Sequence, residues 1–125
     1  MGKDTEAPVV PDAQYHFLQG EMLSQQGDFA GALREYEAAA ESDPDSIDLL
    51  FRVAQTQLAL GNVGAAEKTL RRATETDPLN YVAHALLGKL YYNTARMDQA
   101  VEEYRLATQA QPYNLEGLLL YGALL

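Results

Sequence analysis

Apolar residues return three and four positions apart through most of the chain, and no stretch alternates with period two over a useful length. The pattern predicts an all-α chain of about seven helices, near 13–26, 29–42, 47–60, 63–76, 81–94, 97–110 and 115–125. The two helices of each full repeat are about 20 Å long at about 1.5 Å per residue. Polar punctuation supports these bounds. Asp12, Ser46, Asn80 and Asn114 are evenly spaced, each placed to accept from the free amides of a first helical turn. Further breaks fall at Gln26-Gly27-Asp28 and Gly61-Asn62, where glycine supplies a left-handed helix exit and the next polar residue caps the following helix. The third such break reads Thr94-Ala95-Arg96. Alanine in a left-handed conformation costs about 1 kcal/mol more than glycine. The expectation is that Asn93 takes the left-handed place or the turn tightens, making it the least regular of the three.

The same interval governs the small residues. Proline recurs at Pro44, Pro78 and Pro112; small residues recur at Gly20, Ala54, Gly88 and Gly122, at Ala32, Ala66 and Ala100, and at Ala39, Ala73 and Ala107. A fixed period of this length marks stacked helical hairpins, each burying its apolar face against a neighbour. Gly20, Ala54 and Gly88 are expected where first helices meet the second helices closely, through Ala32, Ala66 and Ala100. Leu23, Phe29, Leu33, Tyr36, Leu50, Val53, Val63, Leu70, Leu87, Tyr91, Met97, Val101 and Tyr104 are the expected fillers. Single repeats are not expected to fold alone.

Bulk properties narrow the classes. The 125 residues fit a leader, 1–12, and a single domain, 13–125, with repeats at 13–46, 47–80 and 81–114 and a partial repeat at 115–125. The leader has no long apolar core of a secretory signal and no acylation pattern. No apolar run approaches the roughly 20 residues that span a bilayer, so membrane insertion is not expected. There is no cysteine, which excludes disulfides and thiolate chemistry and leaves the compartment open, cytoplasmic or exported. The net charge is −9, of which −6 falls on residues 13–46, while residues 47–80 and 81–114 are each balanced. Such a balance repels phosphate backbones, and nucleic acid is not an expected partner.

Candidate chemistry is sparse. His16 and His84 hold equivalent places two repeats apart, about 20 Å by helix-layer spacing, and are read as packed rings with one nitrogen satisfied. Gly61-Asn-Val-Gly64 has neither the lysine nor the strand of a phosphate loop. Glu102 and Glu103 diverge by about 100° on one helix and, like Glu35 and Glu37, are read as solvated. No catalytic residue, metal site or cofactor is expected.

With three registered copies of small, aromatic and proline landmarks, residues 13–114 resemble the tetratricopeptide repeat family, and Leu115 to Leu125 resemble the first helix of a fourth unit. Departures are local: Gln19, His16, His84, Gln57 and Ala95. The resemblance implies a right-handed α-solenoid of antiparallel helix pairs whose concave face, lined by first helices, binds extended peptides or partner helices. The positions it implies are Gln14, Phe17, Glu21, Ser24 and Gln25, then Asp48, Phe51, Arg52, Gln55 and Leu58, then Val82, Ala85, Lys89, Tyr92 and Asn93, with Glu116 and Leu119 beyond. Phe17, Phe51, Leu58 and Tyr92 form an apolar strip if they face outward; the competing reading buries them.

Some members of that family clamp the acidic tails of heat-shock chaperones with cationic and amide side chains. The matching positions are Phe17, Glu21, Gln55, Ala85 and Lys89, of which only Lys89 is cationic, so such tails are disfavoured. A partner with apolar side chains and some positive charge is expected. The leading expectation is therefore a non-catalytic interaction module or scaffold. The alternatives are self-association to a homo-oligomer through an uncovered surface of Leu118, Leu119, Leu124 and Leu125, and the helical arm of a larger enzyme truncated at residue 125.

Overall fold

The computed structural model of the chain describes residues 11–111. Among them are six helices and no strand: α1 (Pro11–Gln25), α2 (Phe29–Ser42), α3 (Ile47–Ala59), α4 (Val63–Thr76), α5 (Tyr81–Asn93) and α6 (Met97–Ala110). The bounds agree closely with the periodicity. The seventh expected helix lies outside the described residues. Two compact units divide between Asn62 and Val63. In the first, α1 packs on α2 and α2 on α3; in the second, α4 packs on α5 and α5 on α6.

Local chemistry sets the helix ends. Asp28 accepts from the Gly31 amide at 2.9 Å, Asn80 from Ala83 at 2.9 Å and Ser46 from Leu49 at 3.3 Å. Asp12 is not a cap: α1 begins one residue earlier, with Pro11 in the first turn, where its fixed φ and missing N–H cost nothing. Asp12 instead places its charge near the positive end of the helix dipole. Asn114 lies outside the described residues.

All three mid-repeat turns have one geometry, so the third is not the least regular. Gly27, Gly61 and Ala95 take φ of 82°, 81° and 63°. In each turn the next amide reaches a carbonyl near the end of the preceding helix: Asp28 to Leu23 at 2.9 Å, Asn62 to Gln57 at 2.8 Å and Arg96 to Tyr91 at 2.8 Å. Ala95, not Asn93, holds the left-handed place. Arg96 leads into α6 without a side-chain cap.

Ala32, Ala39, Ala66, Ala73, Ala100 and Ala107 are wholly buried. The closest approach differs in detail from the expected glycine–alanine crossing. A Cβ on Gly20 would lie 2.6 Å from the Tyr36 ring, and one on Gly88 would lie 2.9 Å from the Tyr104 ring. A tyrosine ring on α2 or α6 thus occupies the space that the glycine leaves open, and any side chain there would force the ring or the helices apart. Around this contact the first unit buries Ala13, Ala39, Ala40, Leu49 and Val53, with Phe17, Leu23 and Leu33 against them. Burial of each large side chain stabilises by about 1.5–3 kcal/mol. Phe29 and Met97, expected as fillers, are exposed. They open α2 and α6 beside exposed turn residues, where no neighbouring turn of their own helix precedes them.

Polar side chains complete the interior. His84 meets Glu103 through Nδ1 at 2.8 Å and the Pro78 carbonyl through Nε2 at 2.7 Å, so both nitrogens are satisfied, not one. His16 meets Glu35 at 2.7 Å. Glu103 and Glu35 are therefore partnered across their hairpins instead of solvated.

In the second unit Glu67 of α4 accepts from Arg96 at 2.7 Å, Tyr91 at 3.1 Å and Arg71 at 3.2 Å. The Arg96 and Arg71 guanidinium carbons stand 4.6 and 5.6 Å from the Tyr91 ring centre. The Arg96 hydrogen bond, with those of Tyr91 and Arg71, holds the Glu67 carboxyl below its ordinary value of 4.5 against the opposing effect of burial.

Two outcomes follow from these contacts. Ala95→Gly relieves the left-handed strain of about 1–2 kcal/mol and gives back part of it as unfolded-chain entropy. The urea midpoint should rise by an equivalent of about 0.5–1 kcal/mol. A depressed folded-state pKa means that Glu67 contributes stability above its unfolded value of 4.5, lost as pH falls through the folded value. Glu67→Gln should flatten that acid limb in urea titrations from pH 6 to pH 3, and an unchanged limb would contradict the network.

Candidate peptide-binding face

In the first unit, α1 and α3 carry six of the groove residues expected from sequence: Phe17, Glu21, Phe51, Arg52, Gln55 and Leu58. Phe17 and Phe51, both half-buried, line a depression of about 330 Å³ with Asp48, Arg52 and Gln55. Phe17 is held from beneath by the Tyr36 ring, with centroids 6.1 Å apart. From above, the Arg52 guanidinium lies 5.6 Å from its ring centre. Phe17 thus packs against the core on one side and borders the depression on the other. A smaller depression of about 100 Å³, lined by Ser24, Phe29, Tyr36, Arg52, Gln55, Thr56 and Ala59, adjoins it through Arg52 and Gln55.

Charge on this face is compensated. Glu21 accepts from the Tyr36 hydroxyl and faces Arg52 Nε at 3.3 Å, both through the same carboxylate oxygen. Arg52 is nearly half exposed, so the pair contributes under about 1 kcal/mol. Its effect is on the surface: Glu21 is not a bare anion, and Asp48, exposed on α3, is the acid that a bound cation would meet. Burial first, and the Glu21 hydrogen bond second, push the Tyr36 phenol up to about 12.

Leu58 is exposed near the end of α3. In the second unit Lys89, Tyr92 and Asn93 are all exposed and share one face of α5 at i, i+3 and i+4. Leu118, Leu119, Leu124 and Leu125, with Glu116, lie outside the described residues. Sequence spacing did not disclose the Glu21–Arg52 pair or the stacking of Arg52 on Phe17, because both join residues of different repeats. The place of Phe29 in the smaller depression was also missed; its signal was an aromatic in a first turn, directly after a cap. Among the described residues no group of three or more histidine, aspartate or glutamate side chains is placed to hold a metal ion. No helix among them is long and apolar enough to cross a membrane.

The fold defines a class: paired helices in which a hairpin motif recurs at a constant interval and the first helices present side chains outward. The chain belongs to the tetratricopeptide repeat family, whose models match residues 23–80 and 81–114. It is 28% identical over 107 residues to the bovine (Bos taurus) DnaJ homolog subfamily C member 3, covering 86% of this chain and 21% of that protein. It is 32% identical over 118 residues to the TPR repeat-containing protein YpiA of Bacillus subtilis, covering 94% of this chain and 27% of that protein. The chain thus spans between a fifth and just over a quarter of the length of these relatives. Among solved structures, the first TPR of Spaghetti (RPAP3) bound to the HSP90 peptide SRMEEVD is similar with a TM-score of 0.78 at 18% identity, covering 91% of this chain and 90% of that one.

Glu21→Gln keeps an acceptor for the Tyr36 hydroxyl but removes the charge that disfavours phenolate. The Tyr36 titration should move down from about 12 toward its ordinary value of 10, while thermal stability near neutral pH changes by under about 1 kcal/mol. Carbon-13 NMR of labelled tyrosines between pH 9 and pH 12 measures it.

Proposed function

We propose that the chain is a non-catalytic protein-interaction module that takes an extended peptide or helix of a partner on the outward faces of its first helices. The observation that carries this reading is the depression between Phe17 and Phe51, bordered by Arg52, Gln55 and Asp48. A cleft with two aromatic walls and three polar residues at its border suits one large apolar side chain flanked by polar groups, the arrangement in which binding energy concentrates. Arg52 and Gln55 offer donors to a peptide backbone, and Asp48 favours a neighbouring lysine or arginine. In the other unit, Lys89, Tyr92 and Asn93 offer an exposed face of their own on α5. The RPAP3 domain, similar in fold, holds a chaperone peptide, which supports the peptide-binding class.

The same chemistry disfavours acidic tails as ligands. Of the positions matching the family's carboxylate clamp, Phe17, Glu21, Gln55, Ala85 and Lys89, only Lys89 is cationic, and an exposed cation contributes under about 1 kcal/mol.

Peptides selected from a random display library on the immobilised chain test the reading. They should carry an aromatic or aliphatic anchor beside a basic residue, and they should outcompete SRMEEVD. Replacing Phe51, Lys89 and Tyr92 together by alanine should weaken the selected peptides at least about ten-fold, about 1.4 kcal/mol, with the helical circular dichroism intact. Undiminished binding to that variant would remove the assignment.

A further inference from the structure

We propose that the outer face of α1, formed by Tyr15, Leu18 and Met22, docks a positively charged amphipathic helix of a partner protein, independently of the depression between Phe17 and Phe51. These three residues stand at i, i+3 and i+7 on one side of the helix and are 59%, 56% and 48% exposed. The opposite side of α1 is already spent on the core, through Ala13, Phe17, Gly20 and Leu23. A helix with apolar residues on two sides is built to be covered on both.

The chain itself shows what covers this side of a first helix. One repeat on, Tyr15 becomes Leu49 and Met22 becomes Thr56, and both are buried on α3. Leu49 lies in the core cluster with Ala39 and Ala40 of α2, the helix that packs there. In the repeat after that, the places are held by Ala83 and Leu90, both buried on α5, against which α4 packs. The occupant in each case is an amphipathic second helix; α2 brings Ala39 and Ala40 to its cluster, and α4 brings Glu67 and Arg71 to Tyr91 of α5. Leu18 corresponds to Arg52, which reaches from α3 to the Phe17 ring and Glu21 of α1. Position 18 therefore also faces the element that precedes it in the stack.

Charge selects the kind of helix. Residues 12–62 hold nine acids against Arg34 and Arg52, a net charge of −7. Along the exposed side of α1 the stripe is flanked by Asp12, exposed one turn before Tyr15, by the uncharged Gln14 and Gln25, and by Glu21, which is paired to Arg52, so the stripe is an apolar strip within a negative field. That field favours lysine and arginine on the flanks of an incoming helix and opposes acidic ones.

Two peptides from this chain serve as probes, each helix-stabilised by a side-chain staple. The α4 peptide, Val63–Thr76, carries Lys68, Arg71 and Arg72 against two acids; the α2 peptide, Phe29–Ser42, carries Arg34 against three acids. Both cover equivalent faces within this fold, so packing is comparable and charge differs. Each is titrated into the full chain labelled at leucine and methionine methyl groups. The α4 peptide should give saturable shifts at Leu18 and Met22, with the α2 peptide at least about five-fold weaker at about 50 mM salt and the gap closing at about 500 mM. Leu18→Glu should weaken the α4 peptide at least ten-fold, and Leu18→Gln less, with Phe51→Ala leaving it unchanged. Because Leu18 is exposed, both Leu18 variants should keep their helical circular dichroism. Shifts that avoid Leu18 and Met22, or equal affinity for the two peptides at low salt, would overturn the proposal. So would methyl shifts that grow with chain concentration in the absence of peptide, accompanied by a doubled mass, which would assign the face to a second copy.

Discussion

The described structure depends on an absent side chain. At Gly20 and Gly88, which hold the same place two repeats apart, the backbone of a first helix lies against a tyrosine ring of the next helix at a separation no Cβ could share. This contact fixes more than the hairpin. The ring of Tyr36 also supports Phe17, and its hydroxyl engages Glu21, which in turn faces Arg52. A steric requirement in the core is thereby carried, through one ring and one carboxylate, to the residues that border the depression between α1 and α3. In the middle repeat the corresponding sequence positions hold Ala54 and Leu70.

A second carboxylate organises the other unit by a related arrangement with a different purpose. Glu67 of α4 collects Tyr91 and two arginines, and the arginines bracket the Tyr91 ring. Arg96 arises from the one mid-repeat turn that has lost both its glycine and its polar cap. The strain at Ala95 is about 1–2 kcal/mol, and charge-assisted hydrogen bonds to a mostly buried carboxylate are worth a comparable amount, about 1.5–3 kcal/mol. The substitution that weakens the turn locally therefore ties it to the helix of the previous repeat.

Periodicity made the helices, their order and the buried alanines legible, because spacing along the chain becomes spacing on a helix face directly. What it did not disclose were contacts decided by three-dimensional closeness. Histidine reads as an aromatic filler in sequence, yet both ring nitrogens of His84 have polar partners, Glu103 and the Pro78 carbonyl. Glu35 and Glu103 read as surface charge because their partners lie on the opposite helix of the hairpin. The candidate face was half legible: the family resemblance pointed to Phe17, Phe51, Arg52 and Gln55, which line one depression, whereas the neutralisation of Glu21 by Arg52 depends on a side chain reaching between repeats.

That neutralisation shapes how selectivity can arise. A clamp for an acidic tail works by assembling several cations whose mutual repulsion is relieved only by the ligand, so its energy is realised on binding. Here the arginine beside the depression already has a carboxylate partner, and any anionic ligand would have to compete with Glu21 for it. The exchange gains little, since an exposed pair of the same type is broken to make another. Burial of an apolar anchor between Phe17 and Phe51 meets no such offset, for water is what leaves the depression and each buried methylene gains about 0.8 kcal/mol. On the proposed reading, the face would discriminate by shape and apolar area first, with Asp48 and Arg52 setting orientation.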